Sequence, residues 1–165
     1  MKRSIFITGG SSGIGLATAM KFKNLGWRVG ICARNTDKLN ELSKLYGFEA
    51  FTLDVTDKKT CAQVIHEFND NGGLDILFAN AGKSYTNKNT IPDFNVSREI
   101  IDINLNGVLN VFEPALEIFL AKKSGQLAAT ASIAGLNGLP GVSAYSGSKS
   151  AVIKICESLA LDLKQ

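Results

Sequence analysis

The chain has 165 residues, of which 45% are hydrophobic and 20% are charged, and its formal net charge is +3. This length suits one domain with one core, and the composition is that of an ordinary globular protein. So small a positive charge gives no reason to expect a nucleic-acid partner, and no apolar run approaches the ~18 residues of a membrane span.

Short β-rich runs alternate with helical patterns along the chain. The predicted strands are "SIFIT" (4–8), "WRVGICA" (27–33), "EAFTL" (49–53), "LDILFA" (74–79) and "QLAATAS" (126–132). The predicted helices cover 13–24, about 36–46, about 57–70, about 97–122, and about 143 to the end. Strands that are apolar almost throughout and alternate with helices predict a parallel sheet covered on both faces. With right-handed crossovers, residues 1–165 become a single α/β domain with a doubly wound, three-layer, Rossmann-like sheet.

Two of these helices are apolar on almost every face. They are the predicted helix of about 97–122, with the sequence "REIIDINLNGVLNVFEPALEIFLAKK" (98–123), and the last helix, with the sequence "SAVIKICESLALDL". A helix without a polar face is buried on more than one side, either inside its own domain or against a partner subunit. We therefore expect a homo-oligomer, either a homodimer or a homotetramer.

The stretch "FITGGSSGIG" (6–15) ends the first strand and opens the first helix, with glycines at Gly9, Gly13 and Gly15. Glycines permit a tight turn and let the backbone approach a pyrophosphate closely. The free N–H groups of the helix N-terminus then face that anion. Glycine-rich loops are common, but the strand–turn–helix context indicates a dinucleotide site rather than a plain turn.

The end of the second strand indicates which dinucleotide is bound. An acidic residue there accepts a hydrogen bond from a free ribose 2′-hydroxyl, whereas this chain has Ala33-Arg34-Asn35. No carboxylate repels a 2′-phosphate at this place, and Arg34 can pair with one bidentately. We expect a preference for NADP(H), with NAD(H) still possible, against the alternative that Arg34 is simply a solvated side chain.

Cysteine and histidine give no indication of a metal site. Cys32, Cys61 and Cys156 are odd in number and form no CxxC pair, and His66 lies in "HEFND", which lacks the second histidine of HExxH. The opening "MKRSIFITGG" has too short an apolar stretch for a signal peptide. We expect reduced thiols, no bound metal and a cytoplasmic location.

Five motifs occur in a fixed order: "TGGSSGIG" (8–15), "ANAG" (79–82), "IDINLNGV" (101–108), Ser132 after the fifth strand, and "YSGSK" (145–149). In this order they resemble the classical short-chain dehydrogenase/reductase family over the whole chain. The resemblance implies four catalytic residues, Asn104, Ser132, Tyr145 and Lys149. It also implies a cofactor site that, with Arg34, comprises Gly9, Ser11, Ser12, Gly13, Ile14, Gly15, Asp54, Asn80, Ala81, Gly82, Tyr145 and Lys149. Where the family often has a doubled asparagine and a serine pair, this chain has Ala79-Asn80 and Ala131-Ser132, so the second member of each pair is kept.

The spacing of "YSGSK" gives these roles a chemical basis. Residues four apart lie on one face of a helix, so the ammonium of Lys149 can approach the phenol of Tyr145. A neighbouring cation favours the phenolate and makes the phenol proton easier to transfer. Tyr145 then gives a proton to a carbonyl oxygen while NADPH delivers hydride to its carbon, and Ser132 hydrogen-bonds the same oxygen. By the resemblance, Lys149 also binds the nicotinamide ribose, and Asn104 holds a water that connects Lys149 to solvent.

Two functions follow from these patterns. The first is an oxidoreductase that interconverts a carbonyl and an alcohol on a small-molecule substrate. The second is a non-catalytic cofactor-binding or interaction protein on the same fold, which has no need of Tyr145 paired with Lys149. Classical members continue beyond the equivalent of residue 165 with two more strands and further helices, which shape the substrate pocket. The resemblance therefore implies an incomplete sheet here and leaves the substrate unidentified.

Overall fold

The fold is described by a computed structural model that covers residues 2–86 and 91–164. Its strands are β1 (Ser4–Thr8), β2 (Arg28–Ala33), β3 (Glu49–Thr52), β4 (Ile76–Ala79) and β5 (Gln126–Ala129). Its α-helices are α1 (Gly13–Asn24), α2 (Thr36–Tyr46), α3 (Lys58–Asp70), α4 (Phe94–Ile101), α5 (Gly107–Lys122) and α6 (Ser143–Asp162). A π-helical turn, Asp102–Asn106, joins α4 to α5, and a 3-10 turn, Ile133–Gly135, follows β5.

The strands form one parallel sheet in the order β3-β2-β1-β4-β5. β1 lies at the centre, with Thr8 opposite Cys32 of β2 on one side and Ile7 opposite Phe78 of β4 on the other. From β1 the chain adds β2 and β3 on one side of the sheet, and it then returns to add β4 and β5 on the other side. This reversal opens a crevice beyond the carboxyl ends of β1 and β4. The doubly wound parallel sheet predicted from the sequence is confirmed.

Each face of the sheet carries its own hydrophobic core. Ile5 and Ile7 of β1 pack with residues of α1 and α2, while Phe6 packs with residues of α3, α5 and α6. Successive side chains of a strand point to opposite faces, so one apolar strand supplies both cores. All five residues of β1 are buried. The layers are therefore helix, sheet and helix, as predicted.

The first two helices have the predicted bounds because their ends are encoded locally. α1 begins in the glycine turn at Gly13. The side chain of Asn35 accepts a hydrogen bond from the Lys38 amide at the start of α2, and Gly47 ends that helix with a φ of 66°. Asparagine is a preferred N-cap, and glycine readily adopts the left-handed conformation that ends a helix.

The predicted helix over 97–122 is wrong in two respects. It begins earlier, at Phe94, because the Asp93 carboxylate accepts hydrogen bonds from the amides of Asn95 and Val96 and caps it. It is also interrupted by the π-helical turn at Asp102–Asn106. Single π-helical turns are rare, and many of those that occur lie at functional sites.

Arg28 joins three elements at the amino-terminal edge of the sheet. Its Nε and Nη2 each lie 2.7 Å from the Glu49 carboxylate oxygens, and Nη1 and Nη2 donate to the carbonyls of Gly73 and Phe68. The guanidinium carbon also lies 3.8 Å from the centre of the Phe68 ring. The side chain is only 14% exposed, so these charge-assisted hydrogen bonds are largely shielded from water.

We expect Arg28→Ala to lower the free energy of unfolding by about 2–3 kcal/mol, because it removes four charge-assisted hydrogen bonds. Urea denaturation of the full-length protein measures this. Lys58→Ala is the matched control, because the Lys58–Glu113 ion pair has both side chains more than half exposed, at 67% and 53%. Such a surface pair contributes less than about 1 kcal/mol. Equal effects of the two substitutions would refute the role given to Arg28.

Candidate active site

The glycine turn between β1 and α1 forms the first wall of the site. Gly9 and Gly13 have φ values of 64° and 52°, in the left-handed region that favours glycine. A Cβ on Gly15 would lie 2.4 Å from the carbonyl oxygen of Gly9, so the helix packs against the turn only because Gly15 has no side chain. Ser12, the residue before α1, makes no capping hydrogen bond with its side chain. The first N–H groups of α1 therefore stay available to an anion.

A cleft of about 710 Å³ opens beyond the carboxyl ends of β1, β2 and β4. The predicted residues that line it are Gly9, Ser11, Ser12, Gly13, Ile14, Arg34, Asp54, Asn80, Ala81, Gly82, Tyr145 and Lys149. Gly15 packs behind this wall rather than in it. The cleft is also lined by Cys32, Ala33, Asn35, Leu53, Val55, Lys83, Ser84, Ile103 and Thr130. We call this space the cofactor cleft below. Its volume lies within the range usual for ligand pockets, about 300–1,000 Å³.

Arg34 and Asp54 lie at the mouth of the cofactor cleft. Arg34 is 69% exposed, and its Nη1 lies 3.9 Å from Asp54 Oδ2. The Asp54 Oδ1 accepts hydrogen bonds from the Thr56 amide and hydroxyl, at 3.0 and 2.8 Å. These hydrogen bonds, with a smaller contribution from Arg34, lower the pKa of Asp54. Arg34 is therefore a largely exposed cation that forms a long ion pair with an ionised carboxylate.

Hydrogen bonds among Thr8, Asn80 and Thr130 connect the carboxyl ends of β1, β4 and β5. The Thr8 hydroxyl accepts hydrogen bonds from the amides of Asn80 and Ala81, both at 2.9 Å. The Asn80 side chain donates to the carbonyls of Thr8 and Gly9 and accepts from the Thr130 hydroxyl at 2.9 Å. The side chain of Asn80 is thus directed into the fold and fixes the spacing of the loops that line the cleft.

Tyr145 and Lys149 lie on α6 at the far end of the cofactor cleft from Arg34. Lys149 is 4% exposed, and its Nζ donates a 2.7 Å hydrogen bond to the carbonyl oxygen of Thr130. The same Nζ lies 5.9 Å from the centre of the Tyr145 ring. Burial lowers the pKa of Lys149. The one-turn spacing has therefore placed the amine and the phenol side by side, as expected from "YSGSK".

Asn104 lies behind the wall of the cleft, in the π-helical turn. Its Oδ1 accepts from the Lys83 amide at 2.7 Å, and its Nδ2 donates to the Lys83 carbonyl at 2.9 Å and to the Ser148 hydroxyl at 3.2 Å. A Cβ on Gly82 would lie 3.3 Å from Asn104 Oδ1 and 3.8 Å from Lys149 Nζ. Asn104 and Lys149 thus flank the same glycine of the cleft wall.

Ser132 begins the 3-10 turn that follows β5. Its Oγ accepts a 3.2 Å hydrogen bond from the Ala134 amide. The hydroxyl proton is not used in that contact and is free to be donated to another acceptor. Ser132 lies two residues beyond Thr130, which lines the cleft. It does not itself line the cofactor cleft.

Three polar residues of the site were not singled out from the sequence: Thr8, Thr130 and Ser148. Thr8 and Thr130 are polar residues at or just beyond the carboxyl ends of apolar strands. Ser148 stands within "YSGSK" itself, next to Lys149. A polar residue where an apolar strand ends was therefore a usable signal, whereas Ser148 could be recognised only from its contacts.

The three thiols are protonated, and His66 lies on the exposed surface of α3 and does not line the cofactor cleft. Cys32 and Cys61 are buried, Cys156 is partly buried, and burial raises the pKa of all three, that of Cys61 to about 12. They are therefore protonated at neutral pH. Within residues 2–86 and 91–164, no three His, Cys, Asp or Glu side chains are grouped as metal ligands. No helix in those ranges is long and apolar enough to cross a membrane.

Comparison with known proteins agrees with this geometry. The family model for short chain dehydrogenases matches residues 3–165. An uncharacterized oxidoreductase of Mycobacterium tuberculosis is 35% identical over 99% of this chain and 68% of its own length. A short-chain dehydrogenase structure from Streptomyces avermitilis has a TM-score of 0.92 at 28% identity, over 99% of this chain and 61% of that one. The structure of ElxO with NADP bound has a TM-score of 0.93 at 29% identity, over 99% and 68% respectively.

A parallel sheet with a glycine turn at its switch point, and a tyrosine and lysine one helical turn apart, define a dinucleotide-dependent dehydrogenase or reductase fold. The chain belongs to the short-chain dehydrogenase family. It spans about three fifths to two thirds of the length of the relatives it matches, at 61% and 68% for the examples above.

Proposed function

We propose that the protein containing this chain is an NADP(H)-dependent oxidoreductase that interconverts a carbonyl and an alcohol on a small molecule. The observation that carries the proposal is that one cleft contains both a phosphate-binding turn and the Tyr145–Lys149 pair. A protein that only bound a dinucleotide would need the turn but not a buried lysine beside a phenol. Burying an ammonium is unfavourable, so its retention here favours catalysis over the binding-only alternative.

The residues of the cleft fit a dinucleotide. A Cβ on Gly13 would meet no atom within 4 Å, so open space lies in front of the glycine turn. The free N–H groups at the start of α1 would hold the pyrophosphate, and Arg34 would pair with a 2′-phosphate. Asp54 would contact the adenine, and Ala81 and Gly82 would line the nicotinamide half. The bound cofactor supplies the hydride.

The chain's own residues then move and stabilise the proton. In the reducing direction, Tyr145 Oη donates its proton to the carbonyl oxygen of the substrate, and in the oxidising direction it accepts the alcohol proton. Ser132 donates a hydrogen bond to the same oxygen and stabilises the charge that develops there. Lys149 favours the phenolate form of Tyr145 through its positive charge. Both protons of the Asn104 side-chain amide already take part in hydrogen bonds, to the Lys83 carbonyl and the Ser148 hydroxyl. A water held by Asn104 would therefore donate a hydrogen bond to an oxygen atom of this residue.

The preference for NADP(H) is tested at Arg34. We expect Arg34→Ala to weaken NADP(H) binding by about 10- to 100-fold, because it removes a charge-assisted pair of about 1.5–3 kcal/mol. NAD(H) binding should change little. Dissociation constants from nucleotide titration of the full-length protein measure both. Lys38→Ala is the control, since Lys38 is another exposed cation nearby, paired with Glu41 on α2. Equal binding of the two nucleotides by the unsubstituted protein would contradict the assignment.

We also propose that the protein is a homodimer or homotetramer that buries the outer faces of α5 and α6. The exposed face of α5 carries Leu109 and Leu120, which are 42% and 59% exposed, together with Glu113 and Glu117. This face therefore carries both apolar and charged side chains, whereas the sequence pattern predicted a helix that is apolar on almost every face. Leu161, near the end of α6, is 68% exposed. Such side chains suit the rim and core of a moderate interface between subunits.

Sedimentation of the full-length protein tests the assembly. We expect one discrete species of two or four subunits at micromolar concentration. The double substitution Leu109→Arg with Leu120→Arg should shift it to smaller species, because two buried cations would oppose association. Leu45→Arg is the control, because Leu45 is an exposed leucine (65%) of α2 on another part of the surface. A strict monomer before substitution would refute the proposal.

A further inference from the structure

Ser148 is a polar side chain with no exposed surface, placed between Tyr145 and Lys149 on α6. Its hydroxyl donates a 2.7 Å hydrogen bond to the Tyr145 carbonyl and accepts a 3.2 Å hydrogen bond from Asn104 Nδ2. A buried hydroxyl without partners would be unfavourable, because it loses its hydrogen bonds to water. These two contacts account for the proton and one lone pair of the hydroxyl.

The direction of every hydrogen bond in this network is fixed by the backbone. The Lys83 amide can only donate, so it must face the Asn104 oxygen, and the Lys83 carbonyl can only accept, so it must face the Asn104 nitrogen. The second proton of Asn104 Nδ2 therefore points to Ser148. Ser148 accepts that proton, so its own proton goes to the Tyr145 carbonyl. Only one arrangement of protons satisfies all four groups.

This network connects the two sides of the cofactor cleft. Lys83 belongs to the loop that follows β4 and lines the cleft, whereas Tyr145 and Lys149 belong to α6. Lys83 directly follows Gly82, where a Cβ would lie 3.8 Å from Lys149 Nζ. The distance between the reactive end of α6 and the cleft wall is therefore held by Asn104 and Ser148.

We propose that Ser148 is a positioning residue for proton transfer, which acts by holding α6 to Asn104 and through it to the loop at Lys83. The inference rests on the proposed function, because it concerns how Tyr145 is held for that reaction. It assigns a purpose to the second serine of "YSGSK" that filling space would not require. A displacement of about 1 Å at a reacting group can reduce turnover by about 10²-fold, so such a role has a measurable effect.

The test compares three variants of the full-length protein: Ser148→Ala, Ser148→Thr and Ser146→Ala. Ser146→Ala is the matched control, because Ser146 is also a buried serine of α6. Its hydroxyl accepts a long, 3.4 Å hydrogen bond from the Leu139 amide and is not hydrogen-bonded to Asn104. NADPH oxidation is followed with 4-nitrobenzaldehyde, 2,3-butanedione and cyclohexanone as probes. For each probe that is reduced, we expect Ser148→Ala to lower kcat by roughly 10- to 100-fold with the Kd for NADPH changed less than about threefold. Ser148→Thr, which keeps the hydroxyl, should recover most of kcat.

A double-mutant cycle identifies the route of the effect. In an Asn104→Ala background, Ser148→Ala should lower kcat by less than about twofold, because the residue through which it acts is already removed. Unchanged kcat in Ser148→Ala, while Tyr145→Phe is inactive in the same assay, would overturn this inference and leave the proposed function standing. Near-normal activity of Tyr145→Phe would instead overturn the proton-transfer role proposed for Tyr145, on which this inference rests.

Hydrogen exchange at the Lys83 amide tests the role of Ser148 without any substrate. With NADPH bound, Ser148→Ala should speed exchange at this amide by about tenfold, because Asn104 loses one of its three anchoring hydrogen bonds. Ser146→Ala should leave it unchanged. If Ser148→Ala also leaves the Lys83 exchange rate unchanged, Ser148 does not hold the loop, and the inference fails whatever the activities are.

Discussion

In the full-length protein, Tyr145→Phe is expected to lower turnover by about 10²- to 10⁴-fold, the usual contribution of a general acid or base. Phenylalanine keeps the ring and its packing beside Lys149 and removes only the hydroxyl. Folding and the affinity for NADP(H) should therefore change little, since a lost proton donor acts on the transition state. Thermal unfolding and nucleotide titration check these two points alongside the rate of NADPH oxidation.

A second tyrosine provides the control that makes this result specific to the Tyr145 proton. Tyr46→Phe removes a hydroxyl from a tyrosine at the end of α2, where its ring stacks on Phe48, and it should leave turnover unchanged. Near-wild-type turnover of Tyr145→Phe on any accepted carbonyl would refute the mechanism. The fold and the nucleotide assignment would not be affected by that outcome.

Lys149→Met should impair the enzyme in two ways. Turnover should fall by about 10²-fold or more, because the phenolate form of Tyr145 loses its neighbouring cation. The affinity for NADP(H) should fall by about tenfold, equivalent to one lost hydrogen bond to the nucleotide of about 1.4 kcal/mol. Lys154→Met, at an exposed lysine of the same helix, is the control.

The free energy of unfolding of Lys149→Met distinguishes a loss of catalysis from misfolding. Burial lowers the pKa of Lys149 in the folded chain below its ordinary value of 10.5. At pH values between the lowered pKa of the folded chain and 10.5, Lys149 is protonated more fully in the unfolded chain than in the folded chain. Stability therefore rises with pH in this range, and below it the buried ammonium opposes folding. Lys149→Met removes the buried charge but also removes the hydrogen bond to the Thr130 carbonyl. These two effects oppose each other, so the free energy of unfolding at pH 7 should change by less than about 2 kcal/mol. A larger decrease would indicate that Lys149 supports the fold rather than the chemistry.

The parts of the molecule that could be predicted are those encoded by neighbouring residues. The glycine turn, the N-cap at Asn35 and the alternation of apolar strands with helices depend on contacts within a few positions. They gave the sheet, its layers and the bounds of α1 and α2. The one-turn spacing of Tyr145 and Lys149 is equally local, so their approach to one another could be expected.

The parts that could not be predicted depend on partners distant in the chain. Thr8 holds Asn80 from 72 residues away, and Lys149 donates to Thr130, 19 residues earlier. The π-helical turn lies in "DINLN", which has an ordinary helical pattern. Its central residue, Asn104, bonds the backbone of Lys83 from 21 residues away. Periodicity cannot report such contacts, because they arise only when the strand ends meet.

The order of strands in the sheet has a consequence for how the chain assembles. The glycine turn and Arg34 come from β1 and β2, which are consecutive strands and can pair as soon as α1 has formed between them. The half of the cleft that contains Tyr145 and Lys149 requires β4 to reach β1 across 71 residues, from Ile76 back to Ile5, and then β5 and α6 to dock. Closing so long a loop is entropically slow, and parallel pairing over such separations places folding in the millisecond-to-second range. We expect the nucleotide half of the cleft to form first and the proton-transfer half to be completed last.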